Sequence, residues 1–353
     1  MMYRNRKRIV LQIFKYVVGC GLIFFILKLT LHRVGEEDKL IPTSDELDKL
    51  MVEAENDNFQ RLLTAKYTCR RYNLGAYKEP DTLASFKHPP APQYSVFYIS
   101  RSHNLSYCPI YKAGSTTWIY NLCLLMNVPE EELNSGKEQI STIARRVIPE
   151  LEYPAADKAL KVTKKLLVVR HPFERLLSAY RDKLENSVAG REHGTLHFYR
   201  KYGSKIVQKY RERNYTEPTK DQVIRLEGIP SPAGIEPTFR EFVQYLINTD
   251  LASYGDDHWM PYYLFCTPCI VDYDIIAKVE TMWRDQIYTI HKLGLQKVIK
   301  PRWRHSGGHS SASRIYFSQL NKDMVQKLYG KFKLDFDLFD YSPDDYYQYA
   351  APV

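Results

Sequence analysis

Ile110-Tyr111-Lys112-Ala113-Gly114-Ser115-Thr116-Thr117-Trp118 places a lysine, a glycine and three consecutive hydroxyls where an apolar strand turns into a helix. Tyr107 to Ile110 read as the end of the strand, and Thr116 to Met126 carry apolar residues at helical spacing. A junction of this kind binds phosphate. Gly114 lets the backbone come close, the free amides of the helix start point at the anion, and the helix dipole adds to their pull. Lys112 contributes a mobile positive charge, and Ser115, Thr116 and Thr117 offer donors. The candidate anion-binding segment is therefore Lys112, Ala113, Gly114, Ser115, Thr116 and Thr117. It is not a Walker A loop, because the second glycine and the Gly-Lys-Ser/Thr order are missing. The competing structural reading is an ordinary capped helix.

A second strand-to-helix junction lies at Leu166-Leu167-Val168-Val169-Arg170-His171-Pro172-Phe173-Glu174-Arg175-Leu176-Leu177-Ser178-Ala179-Tyr180-Arg181. Leu166 to Val169 form a short continuous apolar run, which suits a buried parallel strand. Arg170 stands at the carboxyl end of that strand, where open α/β sheets bind their ligands. Pro172 suits the first helical position, and a helix is expected from Phe173 to Lys183. Arg170 can make a bidentate contact to a phosphate, with Ser178 adding a hydroxyl from the helix. Read as structure alone, Arg170 is a strand-end ion pair and Ser178 a small packing residue. Two anion-binding strand ends in one chain suggest a nucleotide with phosphates at both ends of its ribose.

The pair resembles the two phosphate-binding segments of sulfotransferases that use 3′-phosphoadenosine 5′-phosphosulfate. Residues 112–117 resemble the 5′-phosphosulfate loop and 170–178 the 3′-phosphate segment. The resemblance narrows to the Golgi carbohydrate sulfotransferases, the group containing the chondroitin and dermatan 4-O-sulfotransferases. Their second segment typically reads Arg-Glu-Pro-Phe-Glu-Arg-Leu-x-Ser-Ala-Tyr-Arg, so His171 stands in place of Glu. Similar strings follow in order: Lys201-Tyr202-Gly203-Ser204-Lys205-Ile206, His258-Trp259, Cys266-Thr267-Pro268-Cys269, Tyr273-Asp274 and Lys278-Val279-Glu280-Thr281. Leu328-Tyr329, Asp335-Phe336 and Tyr341 close the series. The first loop departs from the family's frequent Lys-Val-Ala-Cys-Thr-Asn-Trp, which leaves the acceptor sugar open. The resemblance implies an α/β fold with a mainly parallel central sheet flanked by helices, P-loop-kinase-like in topology. It also implies sulfate transfer to a glycan hydroxyl, with position 4 of N-acetylgalactosamine in chondroitin or dermatan as the expected target.

The 353 residues suffice for one large domain or two smaller ones. Arg4, Arg6, Lys7 and Arg8 precede a mostly apolar run from Ile9 to Leu31, interrupted by Lys15 and Lys28, both near its ends. No small-x-small cleavage site follows, so the run reads as a signal anchor rather than a cleaved signal peptide. The expected organisation is a cytosolic tail over 1–8, a transmembrane anchor over 9–31, a stem over 32–66 and a lumenal domain over 67–353. A type II protein of the Golgi membrane is implied. The stem is rich in Glu and Asp and is expected to form an exposed helix from Ser44 onward. Residues 216–237 and 306–313 read as surface loops.

Asn104-Leu105-Ser106 and Asn214-Tyr215-Thr216 are glycosylation sequons, giving Asn104 and Asn214 as candidate modification sites. Of six cysteines, Cys20 falls in the apolar run, leaving five for an oxidising lumen, an odd number that leaves at least one thiol free or paired with another chain. Cys266 and Cys269 have the spacing of a zinc half-site, but no second Cys-x-x-C completes it, and disulfide use is preferred. The net charge of +9 calls for an acidic partner. A lumenal domain does not meet nucleic acid, so an anionic glycosaminoglycan is the expected partner. Lys201, Lys205 and Lys209, followed by Arg213, recur every fourth residue and would line one helix face along such a polymer, with Arg200 and Arg211 flanking. A solvated helix face is the plain alternative. Oligomeric state is left open, a homo-oligomer included.

Sulfuryl transfer needs a sugar hydroxyl to attack sulfur while the bridging oxygen to the 5′-phosphate departs. In-line positioning and electrostatic stabilisation should do most of the work. Lys112 is expected to stabilise the leaving phosphate, so no metal is called for. His258, in Asp256-Asp257-His258-Trp259, is the expected base, with a neighbouring carboxylate to orient its ring; His171 is the runner-up. Two other classes compete. A P-loop kinase would need a Walker context that the first loop lacks, and a non-catalytic membrane-anchored glycan-binding protein would not need Lys112, Arg170 and Ser178.

Overall fold

The computed structural model describes residues 42–80, 82, 86–189, 195–219, 222–224, 232–302 and 310–352. The expected tail and anchor, and residues 306–309 of the second expected loop, lie outside them. Where described, 216–237 carries no helix or strand. Among the described residues no helix is long and apolar enough to cross a membrane.

The fold is mixed α/β. Four strands, β1 (Tyr98–Ser100), β2 (Leu105–Cys108), β3 (Lys164–Val169) and β4 (Ile275–Lys278), lie in the order β1-β2-β3-β4. The β1–β2 pair is antiparallel, whereas β2–β3 and β3–β4 are parallel. Register brings Cys108 opposite Leu167 and Val169 opposite Lys278, so β2, β3 and β4 all end on one side of the sheet. Leu166 to Val169 are fully buried, which is why that strand reads as an unbroken apolar run. One buried cluster joins Cys108, Ile110, Leu167, Val169 and Ile276 to Tyr262, Phe265 and Leu334. A second, rich in aromatic rings, packs Phe173, Phe242, Trp259, Phe317 and Phe336 among the helices.

The first described helix, α1 (Ser44–Arg71), starts where the sequence predicts, and buries Ala54, Asn58, Ala65, Thr68 and Cys69. From Ala54 onward the helix belongs to one compact unit with the rest of the chain. The reason is the outer edge of β4. Asn58 accepts from the amide of Ile276 (2.9 Å) through Oδ1 and donates to the carbonyl of Asp274 (3.0 Å) through Nδ2. Arg61 donates to the carbonyl of Ile276 (2.9 Å) and pairs with the buried Asp285, whose Oδ2 accepts from the amide of Lys278 (2.9 Å). Side chains thus complete a ladder that would otherwise leave an open edge.

Cys69 is bonded to Cys269 and Cys108 to Cys266, and Cys123 is a buried free thiol. Cys266 and Cys269 are thereby consumed in two different bridges, which removes the zinc half-site. Asn104, in the turn between β1 and β2, and Asn214 are both exposed.

Candidate active site

Two loops leave the same side of the sheet. The first follows β2 and turns sharply: Lys112 has φ +68° and Gly114 φ +75°. The left-handed region costs a residue with a β-carbon about 1–2 kcal/mol, so Lys112 is held there by its surroundings. At Gly114 an added β-carbon would lie 2.8 Å from Cε of Met282, the movable end of that side chain, so the positive φ rather than the space is what favours glycine there. Helix α2 (Ser115–Leu125) begins at once, with Gly114 as its N-cap and no side chain capping it. Its first amides are left to serve an anion. Ala113, Ser115 and Thr117 are buried, Gly114 is half-buried, and Thr116 is exposed.

The second loop is the single step from β3 into α3 (Pro172–Lys183), with Pro172 in the first turn as expected. Arg170 at the strand end is buried, and its Nη1 donates to the carbonyl of Lys112 (3.3 Å), tying the two loops together. Glu174, Ser178 and Asp182 recur every fourth residue and so share one face of α3. Glu174 faces Arg170 (3.5 Å) and Asp182 faces the Lys112 ammonium (3.1 Å), with the half-buried Ser178 between them in sequence. Burial pulls the Lys112 ammonium below its ordinary basicity, opposed by Asp182. Burial would raise the Asp182 carboxyl, but Lys112 and Lys183 outweigh it and hold it below the usual range.

His258 joins the first loop directly. Its ring stacks on Tyr111 with centroids 4.8 Å apart, and the edge of Phe198 closes another side at 5.0 Å. Asp256 accepts from His258 Nδ1 (2.7 Å) and from the His258 amide (3.1 Å). A carboxylate in that position fixes the proton of the neutral ring on Nδ1 and leaves Nε2 as the acceptor. The other oxygen of Asp256 accepts from Tyr202 Oη (2.8 Å) and faces Lys201 (3.5 Å). Burial opposes ionisation of Asp256, yet the bonds from His258 and Tyr202 hold its carboxyl well below the usual range. Asp257 is pushed the other way, by burial and by the charge of Asp256.

Of the basic series, Lys201 therefore belongs to the His258 cluster, whereas Lys205 and Lys209 lie exposed on the next helix, Ser204–Tyr210. A π-helical turn, Tyr199–Gly203, intervenes. Arg211 does not flank a ridge: it turns inward to Glu241 and to the carbonyls of Gly234 and Glu236. His171 is committed elsewhere. Its Nε2 donates to the carbonyl of Ser342 (2.9 Å), its ring stacks on Tyr346, and burial lowers its basicity.

Sequence reasoning gave no role to Arg175, which holds the site together. Its buried guanidinium donates to the carbonyls of Tyr111 (2.9 Å), Met260 (2.7 Å) and Asp257 (2.9 Å) and lies over Tyr262. One side chain thereby fixes the Lys112 loop against the His258 loop. Its only signal was its place within the second segment.

The sequence profile of the sulfotransferase family matches residues 95–342, a span that takes in both strand-end loops, the His258 cluster and Arg175. The chain belongs to the sulfotransferase family. This sulfotransferase is 29% identical to rat carbohydrate sulfotransferase 11 over 261 residues, 70% of this chain and 67% of the relative. It is 27% identical to mouse carbohydrate sulfotransferase 8, over 87% of this chain and 69% of the relative. It is 26% identical to human carbohydrate sulfotransferase 10, over 88% and 82% respectively. No solved structure matches the sulfotransferase chain.

Proposed function

We propose that this sulfotransferase moves a sulfuryl group from 3′-phosphoadenosine 5′-phosphosulfate to a sugar hydroxyl of a glycan. The proposed target is position 4 of N-acetylgalactosamine in chondroitin or dermatan. The observation that carries the donor assignment is the pairing of strand ends. Lys112 and Arg170 leave adjacent parallel strands, are linked by one hydrogen bond, and are each matched by a carboxylate on one face of α3. The uncapped start of α2 beside Lys112 suits the 5′ group, and Arg170 with Ser178 suits the 3′-phosphate.

The chain's own part in the reaction follows. Lys112 and the first amides of α2 neutralise charge that grows on the departing phosphate as its bond to sulfur breaks. His258 Nε2 takes the proton of the attacking hydroxyl, because Asp256 keeps the ring's proton on Nδ1 and stabilises the imidazolium that forms. Tyr111 and Phe198 shield the ring's faces and hold its angle. The relatives' names support a carbohydrate acceptor. Lys201, Lys205 and Lys209 would meet an anionic polymer. Two disulfides favour an oxidising lumen, which agrees with an anchor over 9–31 and a type II placement in the Golgi membrane.

The test is transfer of radiolabelled sulfate by the purified full chain to desulfated chondroitin, dermatan and heparan, with disaccharide analysis of the product. Label at position 4 of N-acetylgalactosamine is the expected result. Label on heparan alone would replace the acceptor. Absence of both transfer and nucleotide binding would favour a non-catalytic glycan-binding protein.

A further inference from the structure

Lys112 is three-quarters buried and, among the described residues, faces three charged groups: Asp182 and Lys183 from α3, and Arg170 from the end of β3. Two of the three are cations, so Asp182 is what balances the ammonium. Asp182 is itself shared, standing 3.1 Å from Lys112 Nζ and 3.0 Å from Lys183 Nζ. Lys183 in turn lies over the ring of Phe198 (5.3 Å), the ring that closes on His258. The ion pair is therefore connected to the His258 cluster through Lys183 and Phe198.

We infer that Asp182 is the positioning residue for Lys112: its carboxylate holds the ammonium in the empty site and yields it to the donor's anionic group by exchange of ion pairs. The sharing makes the exchange feasible, because Asp182 keeps Lys183 when Lys112 leaves, and no half-buried carboxylate is stranded. The left-handed backbone of Lys112 limits where its side chain can go, so a partner on α3 decides its aim. Without Asp182, the charged groups that a largely buried ammonium faces among the described residues are both cations, Lys183 and Arg170, and it loses its proton at lower pH than in the wild type. The anion then binds a lysine that is uncharged under basic conditions. The exchange rests on the donor reading proposed above; the hold on Lys112 does not.

Two measurements on the full chain separate these. Lysines are reductively methylated with carbon-13 formaldehyde, the Lys112 resonance is assigned by its loss in Lys112→Arg, and its titration is followed by NMR. Lys112 is expected to titrate at lower pH in Asp182→Asn and to return towards wild type in Asp182→Glu; an unchanged titration in Asp182→Asn overturns the inference. Affinity for 3′-phosphoadenosine 5′-phosphate is then compared at about pH 6.5 and about pH 9.5, on either side of where a depressed lysine begins to lose its proton. The ratio of wild-type to Asp182→Asn affinity should grow roughly fivefold or more between the two, since the variant's lysine is discharged further than the wild type's. A ratio that does not change with pH defeats the exchange, because a merely structural loss weakens binding equally at both. No binding by the wild type at either pH defeats the donor reading instead, and the NMR titration still decides the hold on Lys112. Asp182→Ser replaces Asp182→Asn in both comparisons if the latter loses its folded spectrum.

Discussion

Asp256 makes four contacts with three residues, and this explains why His258 holds one orientation, as its proposed role of base requires. Because the Asp256 carboxyl lies below its unfolded value near 3.9, its contribution to stability is complete above the ordinary carboxylate range and is lost as pH falls through the lower folded value. The wild type should therefore exceed Asp256→Asn in urea-unfolding stability near neutral pH, with the gap closing in strong acid as pH falls through the lowered carboxyl value. A gap that instead widened in acid would contradict the assignment. In the same variant, transfer should fall by about 10²- to 10⁴-fold, the usual worth of a positioned general base. Much at this scale was readable in advance. Lys112, Gly114, Arg170 and Ser178 announce themselves by type and by their place at strand ends. Arg175 and Asp182 do not, because an arginine that binds three carbonyls and an aspartate that meets a lysine seventy residues away are set by tertiary approach alone.

Helix α1 is where local reading and structure part. Its mostly polar composition suggests a free-standing stem, since Ala54, Asn58, Ala65, Thr68 and Cys69 do not form an apolar stripe strong enough to announce burial. What draws it in is polar: two unsatisfied backbone groups on β4 and one on the segment before it. Asn58→Ala should cost about 1–3 kcal/mol in urea unfolding, the price of leaving a buried amide and a carbonyl unpaired. A chain begun at residue 67 should fare worse and associate through the exposed β4 edge, which size-exclusion chromatography would reveal as aggregates. A monomeric, active 67–353 fragment would show that the edge needs no cover. The β3-to-α3 junction, by contrast, was legible to the residue, because a continuous apolar run, a strand-end arginine and a first-turn proline all point the same way.

Across the whole molecule, two bridges converge on the four residues Cys266 to Cys269, joining them to α1 and to the end of β2. Their sequence separations, 200 and 158 residues, put each near the upper end of disulfide stabilisation, about 4–5 kcal/mol in the chain-entropy view. Reduction should accordingly lower the melting temperature by about 10 °C or more, and calorimetry with and without reductant would measure it. A change of only one or two degrees would mean that packing alone holds these segments. The pairing could not be read from spacing, since Cys266 and Cys269 sit at the distance of a metal half-site yet face different partners. The same long separations bear on how the chain is made. Cys69 and Cys108 enter the proposed oxidising lumen before Cys269 and Cys266 exist, alongside Cys123, which forms no bridge, and at ordinary synthesis speeds the wait is about 8–40 s. During that interval the only bonds on offer are wrong ones among the three early thiols. Every molecule that matures must either be kept reduced until Cys266 arrives or break a premature bridge by thiol exchange. The yield of this enzyme is therefore expected to depend on the cell's disulfide isomerases as much as on the sequence itself.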